Sequence, residues 1–410
     1  MKVKGSHIVR SMVAITIDPE LNVETELKYD FKTSFIYKYM KWTFQYTSET
    51  DWFQKTRSRK LFYTICQIAV LLFCWSHYGF ECYEIVLHFN DYLKENIFST
   101  TLEIGYILFN SFEIFGLLTL GHYIMKRYPS LIQDQIKCIK KLIITFREDA
   151  SEVNRMMKKS ESRVQDFVAV GAVIIMLMPI ICNILLIANV RSKEKLNNSY
   201  STYVLISSFV IWLLAMPFLF VTLFIVELQK IQLKLLLKKI ELCQNYDDIL
   251  DIFKSYTYVH QSIGKVNKAY SSYVIYLILS FGLEGSVGIY SEIEETIAFC
   301  KLPGFTHLDI VYTVFLTAYY VASVSFQFLM PILKIATVSI DQKKVAPMLL
   351  KSIPGQMDLY KVHRIAQSID LLQRSEGVGY QIFNSPITKW KTVCWVLIGP
   401  IVKLLFSRLI

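Results

Sequence analysis

Apolar residues in this chain gather into seven long stretches separated by polar segments. They run over 61–80, 101–125, 164–190, 202–226, 270–290, 308–333 and 388–406, the last being the least apolar. A helix needs about 20 apolar residues to cross a bilayer core about 30 Å thick, so each stretch predicts one transmembrane helix. Several polar segments keep a helical rhythm of their own. Leu131, Ile132, Ile136, Ile139, Leu142 and Ile143 recur near helical spacing. Residues 227–268 read as helix, short turn, helix, with Leu233, Leu236, Leu237, Ile240 and Leu242 marking the first and Ile249, Ile252, Phe253 and Tyr256 the second. Leu359, Val362, Ile365, Ile369 and Leu372 give one apolar face to a helix over 358–374. Pro179, Pro217, Pro331 and Pro400 are predicted to kink their helices. No internal repeat is visible, which argues against transporters built from inverted repeats.

Charge gives the pattern an orientation. Lys and Arg alternate between crowded and sparse segments, 35 in one alternating set against 6 in the other. Basic residues beside membrane helices stay on the cytoplasmic side. The N-terminus is therefore expected inside and the C-terminus outside, inverted relative to a G-protein-coupled receptor. The one Asn-x-Ser/Thr triplet begins at Asn197, in a segment the charges place outside, where glycosylation occurs.

Composition agrees with an all-α membrane protein. The 410 residues are 53% hydrophobic with mean hydropathy +0.37, and only 19% are charged where soluble domains carry about 25%. The expected layout is a cytoplasmic segment over 1–60, helices one to six with their cytoplasmic extensions over 61–337, a cytoplasmic anchor over 338–387 and the last helix over 388–410. No apolar core of signal-peptide length lies in the first sixty residues, so the first span is expected to direct insertion. The net charge of +10 fits basic loops facing anionic lipid; without a nucleic-acid-binding motif it does not point to nucleic acid.

Candidate chemistry is sparse. No HExxH, GxSxG or P-loop occurs, and the eight cysteines show no CxxC or metal spacing, so neither enzyme activity nor a cofactor or metal is expected. Cys82 and Cys300 alone fall in expected external segments; they either bridge or, as the preferred reading, stay as two thiols. Polar residues within spans are costly in lipid. Glu103, Asn110 and Glu113 in span two, Asn183 in span three, Glu284 in span five and Gln327 in span six either serve a ligand or join helices by hydrogen bonds. Aromatics cluster in the outer halves of spans two, four, five and six: Tyr106, Tyr203, Trp212, Tyr290, Tyr312, Phe315, Tyr319 and Tyr320. Tyr203 and Tyr290 suit an interfacial belt, whereas Trp212, Phe315 and Tyr319 lie deeper and suit an apolar pocket. The candidate pocket is thus Glu103, Tyr106, Asn110, Asn183, Trp212, Glu284, Tyr312, Phe315 and Tyr319. Gly282, Gly285 and Gly288 make a small-residue stripe that admits a close helix or leaves room for a ligand.

Seven spans, an internal N-terminus, cytoplasmic helical extensions and an amphipathic helix before a short last span resemble the insect gustatory and odorant receptor superfamily over almost the whole chain. Ile263-Gly264-Lys265-Val266-Asn267-Lys268-Ala269-Tyr270 resembles that family's approach to its fifth helix. Met348-Leu349-Leu350, Val362-His363-Arg364 and Gly379-Tyr380-Gln381-Ile382-Phe383 resemble its run into the last helix. The short third loop, Arg191 to Ser201, is similar to that of gustatory receptors. Their Thr-Tyr…Gln-Phe signature is replaced near Leu397-Ile398 and Leu404-Leu405, which leaves odorant receptors as the near alternative. The resemblance implies a ligand-gated, non-selective cation channel in the plasma membrane of sensory neurons, a homo- or heterotetramer that binds a small molecule among the outer helices. It implies a pore lined by the last span, where Thr392, Trp395, Ile398, Val402 and Leu405 share one face and an apolar ring can gate by dewetting. Lys403 departs from this picture, because four ammonium groups in a pore would repel cations.

Overall fold

The computed structural model describes residues 29–42, 56–95, 119–128, 130–189, 198–280, 293, 297, 307–352, 359–376, 379–382, 385–389 and 394. A single 3-10 turn, Phe31–Thr33, precedes α1 (Phe35–Trp42). The helices α2 (Arg57–Glu95), α3 (Gly121–Arg127), α4 (Leu131–Phe146), α5 (Ala150–Asn189), α6 (Asn198–Glu241) and α7 (Tyr246–Ser280) follow. Next come α8 (His307–Val324), a π-helical turn (Ser325–Leu329), α9 (Met330–Lys343), α10 (Val345–Lys351) and α11 (Leu359–Glu376). Among the described residues, strands occur at one place. There β1 (Gln381–Ile382) pairs antiparallel with β2 (Ser385–Pro386), Gln381 opposite Pro386 and Ile382 opposite Ser385. Two-residue strands carry no alternation that a sequence reading can detect.

The expected extensions exist as helices. α5 runs from polar Ser151 through the expected third span. α6 runs through the expected fourth span to Glu241, and α7 enters the expected fifth from below. α2 differs from expectation: it continues past residue 80 to Glu95, so Glu81, Glu84, Asp91 and Glu95 stand on a helix rather than in a loop. The expected second span is described only over 119–125, and the seventh only at 388, 389 and 394.

α6 is the central post. Phe220, Val221, Phe224, Val226, Leu228, Leu233, Leu236 and Ile240 are each fully buried, on all sides of the helix, as expected of a helix that is apolar all round. α4, α5, α7 and α9 pack around it. α4 buries the predicted stripe, Leu131, Ile132, Ile136, Ile139, Leu142 and Ile143, together with Gln135, Cys138 and Phe146. It stops at Arg147, whose left-handed φ of 54° turns the chain so that the Glu148 N–H reaches back to the Ile143 carbonyl at 3.1 Å. Asn245 caps α7, its Oδ1 accepting from the Asp248 N–H at 2.8 Å. The π turn has a local cause. Pro331 has no N–H for the carbonyl four residues back and its ring crowds that carbonyl, so the turn widens and the Met330 N–H donates to the Ser325 carbonyl instead.

Inside this core, Gln232 Nε2 donates to the Gln135 side-chain oxygen at 3.0 Å and to its backbone carbonyl at 3.1 Å, pinning α6 to α4. Gln232→Leu strands two buried acceptors and is expected to lower stability by about 1–3 kcal/mol; an unchanged midpoint in thermal unfolding would remove this pin from the account.

Two described surfaces within the expected spans are apolar. Leu61, Ile65, Ile68 and Leu72 form a stripe along α2 that is 51–64% exposed, and Val170, Val173 and Leu177 form another along α5 that is 50–60% exposed. Among the described residues, no helix is long and apolar enough to cross a membrane. The most apolar parts of α5 and α6 run through positions whose side chains lie outside the described set.

Candidate functional site

The expected ligand residues fall partly on described helices. Asn183 is on α5, Trp212 on α6, and Tyr312, Phe315 and Tyr319 on α8. α5 packs directly against both α6 and α8, so these positions share neighbouring helices. Phe315 is half-buried; the side chains of the other four lie outside the described set. Glu103, Tyr106, Asn110 and Glu284 lie outside the described residues, as do Asn197, Cys300 and the expected pore positions Thr392, Trp395, Ile398, Val402 and Leu405. Cys82 is a helical position of α2 whose side chain is also outside the set. Cys66, Cys138, Cys243 and Cys394 are unbridged; burial pushes the Cys138 thiol up to about 12, so it behaves as a small hydrophobe. Among the described residues no cluster of His, Cys, Asp or Glu could hold a metal ion.

The sequence did not point to the most elaborate site among the described residues, a buried amide network where α7, α9, α11 and the hairpin meet. Tyr256 and His260 lie one turn apart on α7. Gln342 ends α9, and Gln373 stands on the buried face of α11 with Val362, Ala366 and Ile369. Gln373 Nε2 donates to the Tyr256 hydroxyl at 2.7 Å and to the Gln342 backbone carbonyl at 3.0 Å. Gln342 Nε2 lies 2.6 Å from His260 Nδ1, and its Oε1 accepts from the Gly379 N–H at 2.7 Å. Asn267 Oδ1 accepts from the Gln381 N–H at 3.0 Å. Tyr380 is buried, and the Gln229 amide of α6 approaches its hydroxyl. Burial raises the Tyr256 hydroxyl to about 12 and pushes Tyr380 up as well, so both stay neutral hydrogen-bonding groups. The hairpin that leads toward residue 388 is thus held by side-chain amides from three helices. An open groove of about 680 Å³ lies beside this network, lined by Lys343, Pro347, Leu350, His363, Arg374 and Pro386 among others.

A second tie joins α6 to α9 at the lower end of the expected spans. Glu227 lies 3.2 Å from Lys230 and 3.6 Å from Lys334. Farther out, Tyr29 donates to Glu161 Oε2 at 3.0 Å. Burial pushes that carboxyl up, while Tyr29 and Lys158 pull it back down.

These features define a class: a bundle of long helices that continue from apolar stretches into a tightly packed polar-capped layer, closed by a short helix and a hairpin before the last stretch. No family model matches the chain, and no curated protein matches it in sequence. Among solved structures, the chain is similar to the insect olfactory receptor OR5 from Machilis hrabei, over 92% of this chain and 97% of that one, with 13% identity and a TM-score of 0.53. At that identity the likeness is one of fold, and it extends over nearly the full length of both chains.

Proposed function

We propose that this chain is a chemoreceptor subunit of the insect type, embedded in the plasma membrane with its N-terminus inside, and not an enzyme. The observation that carries this reading is the fold shared with an olfactory receptor over 92% of the chain. The exposed apolar stripes on α2 and α5, placed within expected spans, support it, because contiguous exposed apolar surface marks a membrane or partner contact. On this reading a small molecule binds among Glu103, Tyr106, Asn110, Asn183, Trp212, Glu284, Tyr312, Phe315 and Tyr319. Four subunits, identical or related, surround a pore lined by Thr392, Trp395, Ile398, Val402 and Leu405, and Asn197 carries the external glycan. The short third loop favours the gustatory branch; the likeness to OR5 favours the odorant branch.

Tagging each terminus and testing antibody access on intact cells examines the topology: an accessible N-terminus overturns it. Patch-clamp recording of the chain, alone and with a related subunit, is expected to show ligand-evoked cation current. Trp212→Ala or Tyr319→Ala is expected to weaken ligand sensitivity about tenfold, the equivalent of ~1.4 kcal/mol, at unchanged surface expression; unchanged responses remove these residues from the pocket. A second reading, a non-conducting protein of the same fold, is favoured by Lys403 and by Leu397-Ile398 and Leu404-Leu405 in place of the gustatory signature. It is the reading that stands if no current appears at correct topology.

A further inference from the structure

The hydrogen-bond directions in the amide network fix the charge state of His260. The Gly379 N–H is a donor only, so the Gln342 atom that meets it at 2.7 Å is the amide oxygen. The other amide atom, Nε2, then faces His260 Nδ1 at 2.6 Å and the Tyr256 hydroxyl at 3.5 Å. Nε2 only donates, so Nδ1 must accept, which requires a neutral imidazole with its proton on the far nitrogen. Gln373 is fixed independently, because both of its hydrogen bonds are donated, one to a backbone carbonyl that only accepts. Gln342 has no alternative orientation: turning its amide over would set an NH2 group against the Gly379 N–H.

Protonation of His260 sets two donors against each other at 2.6 Å. Gln342 must then turn away, and the buried Gly379 N–H loses its acceptor. Gly379 is the first described residue of the strap 379–387, whose other bonds include a two-residue ladder, the Ile387 N–H to the Tyr380 carbonyl at 3.0 Å, and the Asn267 bond. The charged groups on the surrounding elements are largely engaged with one another. On α9 Asp341 lies 2.7 Å from Lys344, with Lys343 beside them; on α11 Asp370 lies 2.7 Å from Arg374. On α7 Asp251 faces Lys254 and Asp248 faces Lys239 of α6, while Lys141 of α4 sits over the Tyr258 ring.

We propose that His260 and Gln342 form a pH-sensitive latch on the strap 379–387, closed by the neutral imidazole and opened by proton uptake. The latch stands whether or not the chain conducts. Its sign follows from linkage: the closed state excludes the proton and the open state binds it, so closure is complete above the ordinary histidine range, near pH 6.5, and weakens as pH falls below it.

Hydrogen exchange of the full-length protein in lipid nanodiscs reads this directly. With intrinsic rates corrected for pH, protection of peptides covering 377–389 is expected to fall about tenfold between about pH 7.5 and about pH 5.5, while peptides covering 218–236 stay constant. His260→Gln offers Gln342 an acceptor that takes up no proton, so its strap is expected to be equally protected at both pH values. Gln342→Glu puts a carboxylate between the Gly379 N–H and the imidazole, so protonation should now strengthen the closed strap and the pH trend should reverse. A flat wild-type profile, or a wild-type fall retained in His260→Gln, overturns the latch. Should His260→Gln fail to fold, a fall at low pH in Gln342→Glu overturns it equally.

Discussion

Phe224→Ala is expected to undock residues 29–42 from the bundle and to lower stability by about 3–5 kcal/mol, the usual range for truncating a fully buried phenylalanine. Phe224 has no exposed surface. Its ring meets Phe31 at 6.1 Å in a stacked arrangement, Tyr29 at 6.1 Å and Phe220 at 5.8 Å. Each such pair contributes about 0.5–1.5 kcal/mol beyond burial. Two of the three partners belong to the N-terminal segment, so the loss falls mainly on its docking. α6 itself should persist, because alanine is the better helix former. The local bonds of the 3-10 turn and α1, Lys32 N–H to Asp30 Oδ1 at 3.0 Å and Tyr37 N–H to Ser34 Oγ at 3.1 Å, shape the segment, while the Tyr29 bond to Glu161 and the buried Tyr37 and Met40 help the ring cluster to dock it. Limited proteolysis should therefore cut within residues 29–42 in the variant and spare them in the wild type, with the unfolding midpoint displaced downward. Equal resistance in both proteins would show that the ring cluster does not hold the segment.

The helices were legible wherever apolar residues kept one period over many turns. Leu131 to Ile143 predicted α4 because those side chains all enter one core, and Val362 and Ile369 on α11 are buried as their spacing required. Leu359 was counted on the same face yet is 68% exposed, since it opens the helix before the stripe engages α7 and α10. The helix–turn–helix over 227–268 was read from its apolar spacing; the cap and first turn that Asn245, Asp247 and Asp248 supply to α7 were not part of that reading. The amide network was not legible. Its pairs are separated by 31 to 117 residues, and glutamine and histidine at such positions read equally as surface residues until the fold brings them together. The strap was hidden for a related reason: Gly379 entered the sequence reading as part of a family resemblance, while its left-handed φ and its neighbour Ser339 belong to tertiary structure. The candidate pocket was read as a set of outer-half positions; five of its nine residues, Asn183, Trp212, Tyr312, Phe315 and Tyr319, stand on α5, α6 and α8, and the other four lie outside the described residues.

Gly379→Ala is expected to release the strap while leaving the bundle folded. Gly379 has φ near +59°, a left-handed conformation that costs an alanine about 1–2 kcal/mol. Space is the second obstacle: a Cβ there would land on the Ser339 side chain and come within 2.8 Å of the Ser339 Cα, which is the backbone of α9 and cannot swing aside. Overpacking of this kind costs about 1–3 kcal/mol. The chain's cheapest escape is to lift residues 379–382 away from α9, which breaks the Gly379 N–H bond to Gln342 and draws Tyr380 out of its buried seat. Because the strap's ladder is two residues long, the damage should stay local, as opening of a small unit does. Exchange protection over 377–389 should drop sharply while α6 and α7 keep theirs. Gly264→Ala is the counter-experiment. That glycine lies within α7 and nothing stands within 4 Å of an added Cβ, so alanine there should stabilise the helix by about 0.5–1 kcal/mol. The two substitutions are chemically identical and are expected to act in opposite directions. If Gly379→Ala left strap protection and the unfolding midpoint unchanged, neither the strained backbone nor the contact with Ser339 would be holding the strap in place.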